Sequence, residues 1–213
     1  MADKIWTGAE NSIFGNADNW LDLSAPGAGD NCYITADYNV DINGAQYTVD
    51  LGSLTVESGY TGRIGTKAGY FAPQSVTALD FKGSGEAYIN VNASAIDVRV
   101  DGTAAAATGK SGLYLLGSAI DELNVISGSV GIASRAGETA TVTTVTVNGG
   151  SVLVGDGCTL TNATVYSGGL VSQASITTLK NYNGSVTTEE AAAVTTLSLF
   201  NGSLEHNGTG TIT

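Results

Sequence analysis

Apolar and polar positions along this chain recur in one nine-residue frame. Val142-Thr-Thr-Val145-Thr-Val147-Asn-Gly-Gly150 reads as apolar, two small polar residues, apolar, any residue, apolar, two more residues, glycine. The frame returns as Leu160-Thr-Asn-Ala163-Thr-Val165-Tyr-Ser-Gly168 and as Val194-Thr-Thr-Leu197-Ser-Leu199-Phe-Asn-Gly202. It also fits at Leu51 and Ile120, fits at Ile176 except that Asn181 holds the third apolar place, has its glycine early at Val76, and is weakest at Ala93. The starts therefore fall at 51, 76, 93, 120, 142, 160, 176 and 194.

Each position of the frame has a physical reading. Apolar residues two apart, such as Val145 and Val147, point to one face of a strand. The two polar residues before them break the alternation and mark a corner. Gly59, Gly128, Gly150, Gly168, Gly184 and Gly202 stand at the next corner, where positive φ is cheap only for glycine. A single coil of this kind buries its inward side chains only against the coils above and below it, which is the logic of a β-solenoid. The fold class expected is all-β, a single-stranded solenoid. The uneven steps and the absence of a hexapeptide period favour a right-handed parallel β-helix. Eight coils over residues 51–213 predict a stack about 40 Å tall, with Val145, Ala163, Leu179 and Leu197 in one interior ladder.

Residues 1–50 break the pattern and read as an N-terminal cap. They hold Trp6, Trp20 and the Pro26-Gly-Ala-Gly-Asp30 turn. Solenoid ends expose strand edges that pair with other chains unless covered, and an aromatic segment is suited to cover one. The tryptophans either pack over the first coil or form a docking surface, and the two roles can coexist. On the docking reading Trp6, Trp20, Pro26 and Asp30 are the candidate partner contacts.

Charge and composition narrow the function. Twenty acidic residues against eight basic give a net charge of −12, and the basic residues are scattered singly, so nucleic-acid binding, which needs clustered Lys and Arg, is not expected. There is no apolar run long enough for a membrane helix, and MADKIWTGAENS has no apolar core of a signal peptide. Cys32 and Cys158 lack companion ligands and read as two buried thiols. No metal or cofactor motif is found.

Catalytic candidates are few. Asp97, Arg99 and Asp101 alternate along one strand and would share an outward face. Asp121 with Glu122, and Glu189 with Glu190, are adjacent acidic pairs at or near corners. Glycan-active sites need paired carboxylates in a cleft, and later coils of 16 to 22 residues leave little chain for groove walls. These carboxylates read as solvated, His206 as a surface histidine, and Gly102–Gly109 as an excursion from the coil. No catalytic residue is assigned.

The pattern W-x-G, N-W, P-x-x-G-D, followed by the Leu54–Gly65 stretch L-x-V-x-x-G-Y-x-G-x-I-G, resembles β-helical proteins encoded by tailed phages and prophages. The resemblance covers about the first 65 residues and contains no catalytic motif. Short trimeric proteins of this kind serve as capsid decoration (cement) proteins or as tailspikes. It implies a structural virion protein on the outer capsid surface, a homotrimer with the major capsid protein as partner, and no nucleic-acid or membrane partner. The alternatives are a receptor-binding or glycan-active tailspike, or a fragment of a bacterial surface adhesin. The repeat is still running at Leu197, so neighbouring chains or terminal turns are expected to protect the last coil.

Overall fold

The computed structural model describes residues 1–40, 47–91, 96–102 and 112–213. Most of the expected excursion Gly102–Gly109, and Ala93, lie outside the described residues. The architecture is all-β: parallel strands stacked as a β-solenoid, with a short 3-10 turn at Ala17–Asn19. No described helix is long and apolar enough to cross a membrane.

One side of the solenoid is formed by β1 (Asp3–Trp6), β2 (Asn31–Ile34), β3 (Tyr47–Val56), β4 (Pro73–Phe81), β6 (Ile96–Asp101), β7 (Leu113–Ser127), β9 (Ala140–Val147), β11 (Cys158–Val165), β13 (Ile176–Asn181) and β15 (Val194–Leu199). Each pairs in parallel with the next. A second side stacks β5 (Ala87–Val91), the start of β7, β8 (Ser129–Ile132), β10 (Ser151–Val154), β12 (Gly169–Ser172), β14 (Ser185–Thr188) and β16 (Ser203–His206).

The expected interior ladder is present. Val145, Ala163, Leu179 and Leu197 are register partners in consecutive coils. Upward, the column runs through Leu123, Val98, Leu79, Leu54 and Cys32 to Lys4. A parallel column carries Trp6, Ile34, Val56, Phe81, Val100, Val125, Val147, Val165, Asn181 and Leu199. Almost all of these side chains are buried, and each fully buried Val or Leu stabilises the stack by about 1.5–3 kcal/mol.

The structure moves three expectations. The stack begins at residue 3, because β1 and β2 are rungs of the first side, so the cap is woven into the solenoid rather than set before residue 51. The coil assigned a start at Ala93 restarts at Ile96, which pairs with Ile120; a register shift after Ile96 absorbs a residue and places Val98 over Leu123. The polar pair of the frame makes a bend inside a continuous strand: in β9, Val142 and Val145 are buried while Thr143 and Thr144 both face outward.

The corner glycines divide by cause. Gly128, Gly150 and Gly168 have φ of +87°, +70° and +82°, and a Cβ at any of them would strike the carbonyl oxygen of the glycine one coil above, Gly102, Gly128 and Gly150 respectively. Gly184 and Gly202 stay out of the positive-φ region, correcting the expectation; there a Cβ would strike Val165 and the Asn181 side chain instead. Gly59 is outside this column. It has ordinary φ and open space at its Cβ position, while Gly83, packed against Tyr60 and Val56, occupies the corner in that part of the stack.

Candidate functional site

The residues of the W, NW, P, GD pattern build the cap from the inside. Trp6 and Trp20 are 0% and 1% exposed and meet edge to face at 5.4 Å, with Phe14 edge-on to Trp20 at 4.9 Å and to Phe71 at 4.9 Å. The Trp20 indole N–H donates to the Phe14 carbonyl at 2.8 Å. Asn19, also buried, accepts the Glu10 and Asn11 N–H groups and donates to Asn11 Oδ1 and the Ile13 carbonyl, which folds the 10–13 loop over the first rung. Pro26 is buried. Asp30 accepts the Gly27 N–H at 2.9 Å and the Ala2 N–H at 2.6 Å, and these bonds hold its carboxyl below the usual range.

Trp6, Trp20, Pro26 and Asp30 are all buried in closing the first coil, because an aromatic cluster that covers an open core must turn its faces inward. Lys4 heads an apolar column and is itself buried, its Nζ donating to Asp22 at 2.5 Å. That ammonium is the main reason the exposed Asp22 carboxyl lies below its ordinary value.

On the outer face of the first side, Arg99 bridges coils. Its guanidinium reaches Asp80 at 3.2 Å and Asp101 at 2.9 Å, and Lys82 meets Asp80 at 3.0 Å. Asp97 pairs in register with Glu122 in the next coil, and both line a shallow depression of about 290 Å³ with Asp80, Arg99 and Asn124. Asp121 and Glu122 are exposed within β7, not at a loop. Glu189 and Glu190 do lie at a corner, where Gln173 donates to Glu189. His206 is exposed but held at both nitrogens: Nε2 donates to the Gly210 carbonyl at 3.0 Å, and Nδ1 shares a hydrogen bond of 2.7 Å with the Thr188 hydroxyl. Cys32 and Cys158 are buried free thiols, and burial pushes both up to about 12.

Sequence reasoning missed one cleft. Tyr70 and the 134–139 loop project from coils far apart in the chain and meet across the turns between them: the Tyr70 hydroxyl donates to Glu138 Oε1 at 2.5 Å. Arg135 clamps the junction, its backbone N–H on Glu138 Oε2 at 3.1 Å, its guanidinium 3.3 Å from Glu138, and its charge over the Tyr88 ring at 5.8 Å. Tyr88 lies flat on Tyr114 at 4.6 Å. Burial first, and the Glu138 carboxylate second, raise the Tyr70 hydroxyl well above a free tyrosine. The cleft, about 560 Å³, is lined by Tyr70, Asn90, Ser118, Glu138, Thr139, Thr141 and Thr159 around small glycines. Glu138 is the sole acid among its described lining residues, so it offers hydrogen bonds to a polar ligand but not the carboxylate pair of a glycosidase. No periodic signal pointed to this cleft, since Tyr70 and the 134–139 loop, which meet across it, are departures from the repeat.

Among the described residues no three His, Cys, Asp or Glu side chains gather as a metal site. Comparison with known protein families, with curated proteins and with solved structures finds no match for the chain.

Proposed function

We propose that this chain is a structural virion protein that decorates the outside of a tailed-phage icosahedral shell and holds neighbouring capsomers of the major capsid protein together. The observation that carries the reading is the unbroken interior column from Lys4 to Leu197, a strut about 40 Å long whose first rungs are the W, NW, P, GD cap itself. The residues behind the resemblance thus have one shared job, which is to start and seal a rigid solenoid. A net charge of −12 suits the solvent side of a shell better than its DNA-facing interior.

The working form is a homotrimer of solenoids packed side by side. Tyr166, Tyr182 and Phe200 stack on the outer surface at 4.9 and 4.5 Å, with Tyr166 and Phe200 48% and 63% exposed, and side-by-side packing would bury this stripe. Light scattering should give three times the chain mass; a stable monomer at micromolar concentration counts against the trimer. The functional test is to delete the protein and heat or osmotically shock the virions. Faster DNA loss is expected, and unchanged loss, or virions that never contained the protein, would end the reading.

A glycan-binding role at the Tyr70–Glu138 cleft is the second reading. It is favoured by the hydroxyl-rich lining and by a volume within the roughly 300–1,000 Å³ of small-ligand sites. Infection failing only at adsorption after deletion would favour it over decoration.

A further inference from the structure

Three non-glycine residues among those described have positive φ: Leu23 at +54°, Ala133 at +42° and Glu190 at +53°. Ala133 is 1% exposed, so packing accounts for its conformation, and Glu190 is a polar side chain at an outer corner. Leu23 has neither explanation. Its side chain is 69% exposed, so it stabilises no core, and a branched apolar residue is a poor choice for the left-handed region, which glycine or asparagine enters at less cost. Such an outlier persists where the surrounding structure enforces it, and points to a function.

The surroundings do enforce it. The Leu23 N–H donates to the Trp20 carbonyl at 2.9 Å, closing a tight turn on a fully buried tryptophan. Between the two exposed leucines, Asp22 is drawn back by the buried Lys4 at 2.5 Å and accepts the Ser24 N–H. Leu21, 66% exposed, is tied to β1 by its N–H on the Ile5 carbonyl at 2.9 Å, and Ile5 is itself 37% exposed. Trp6 and Trp20 form an antiparallel bridge, so Ile5 and Leu21, one residue away on each chain, share its outer side. The result is a rigid knob with Ile5, Leu21 and Leu23 turned outward. Carboxylates adjoin it: Asp3 shares the outward side of β1 with Ile5, Asp18 is exposed two residues before Trp20, and Asp22 lies between the leucines, against Lys4.

We propose that the Leu21–Leu23 turn is the anchor by which this protein docks, inserting its two leucines into an apolar socket on a protein partner whose rim is basic. Pre-ordered apolar anchors lose little entropy on binding, and the surrounding carboxylates select a positive rim and speed encounter. This proposal rests on the decoration reading for the partner's identity, which makes the socket part of the major capsid protein's outer surface.

The test is co-sedimentation of the purified protein with shells assembled from the major capsid protein encoded alongside it, for wild type, Leu23→Gly and Leu21→Ser, with thermal melts of each. Leu23→Gly should leave Tm unchanged or raise it by about 1–4 °C, yet weaken shell binding by roughly tenfold or more. Leu21→Ser should weaken binding at unchanged Tm, and wild-type binding should fall as salt rises. A Leu23→Gly protein that binds like wild type overturns the anchor and leaves decoration standing. So does a marked drop in its Tm, which would make Leu23 a folding residue. Salt-insensitive binding removes the basic rim, and loss of self-association in Leu23→Gly makes the occupant a second copy instead. If wild type does not sediment with the shells, the decoration reading and the anchor fall together.

Discussion

The Asn181 side chain closes a ring with the backbone of Gly184: its carboxamide accepts the Gly184 N–H at 2.9 Å and donates to the Gly184 carbonyl at 3.1 Å. The same amide group donates to the Ser203 carbonyl in the next coil at 2.8 Å. Asn181 is 0% exposed and stands in a column otherwise apolar between Val165 and Leu199. It replaces, by hydrogen bonds, the positive-φ glycine that shapes the corners at Gly150 and Gly168.

Asn181→Val tests this. The substitution restores the apolar pattern but strips partners from the buried Gly184 backbone and from the Ser203 carbonyl. It should destabilise by about 2–3 kcal/mol, visible as a lower urea midpoint at unchanged slope. A more stable variant would show that the apolar column outweighs the corner.

Two glycines with the same place in the sequence frame should respond in opposite ways. Gly168→Ala meets a φ of +82° and the Gly150 carbonyl, and should cost about 2–4 kcal/mol. Gly59→Ala meets open space at ordinary φ, and should be neutral or stabilising by up to about 1 kcal/mol. Equal losses in chemical denaturation would refute the distinction.

Val147→Asp places a carboxylate in the second interior column, between Val125 and Val165, where Val147 is 0% exposed. A loss of more than about 4 kcal/mol, or no folded protein by circular dichroism, is expected. A folded variant with wild-type Tm would place Val147 outside the core.

Asp30 supplies a pH signature. Its folded carboxyl lies below the ordinary 3.8 because of the Gly27 and Ala2 N–H groups, so folding favours its ionised form. The stability it adds is fully present above the unfolded value and is lost as pH falls through the folded one. Asp30→Asn should cost about 1–2 kcal/mol at neutral pH and make the decline of stability below about pH 4 shallower than in wild type. Parallel acid slopes in urea melts of the two proteins would remove Asp30 from the account.

The solenoid was legible in the chain because a stacked coil repeats its own environment. Val145, Ala163, Leu179 and Leu197 meet one another in register, so each coil makes the same demand at the same offset, and the demand shows as a nine-residue frame. The frame could not show its own slippage at Ile96, where a register shift absorbs a residue. Nor could it separate Gly168, whose backbone needs glycine, from Gly202, whose neighbour Asn181 does.

The sequence by itself determined the columns, the corners and the aromatic nature of the first segment, since periodic burial is written residue by residue. Only the tertiary structure decided which way that segment faces and what it leaves outside. Trp6 and Trp20 are as apolar on the page as Leu21 and Leu23, yet the indoles close the core and the leucines stay in solvent. That choice depends on the bond from buried Lys4 out to the exposed Asp22 carboxylate and on the turn from Trp20 to Leu23. The Tyr70–Glu138 contact likewise joins residues 68 positions apart on two irregular excursions. Neither arrangement repeats, and a contact that occurs once, between segments outside the frame, leaves no period in the sequence to read.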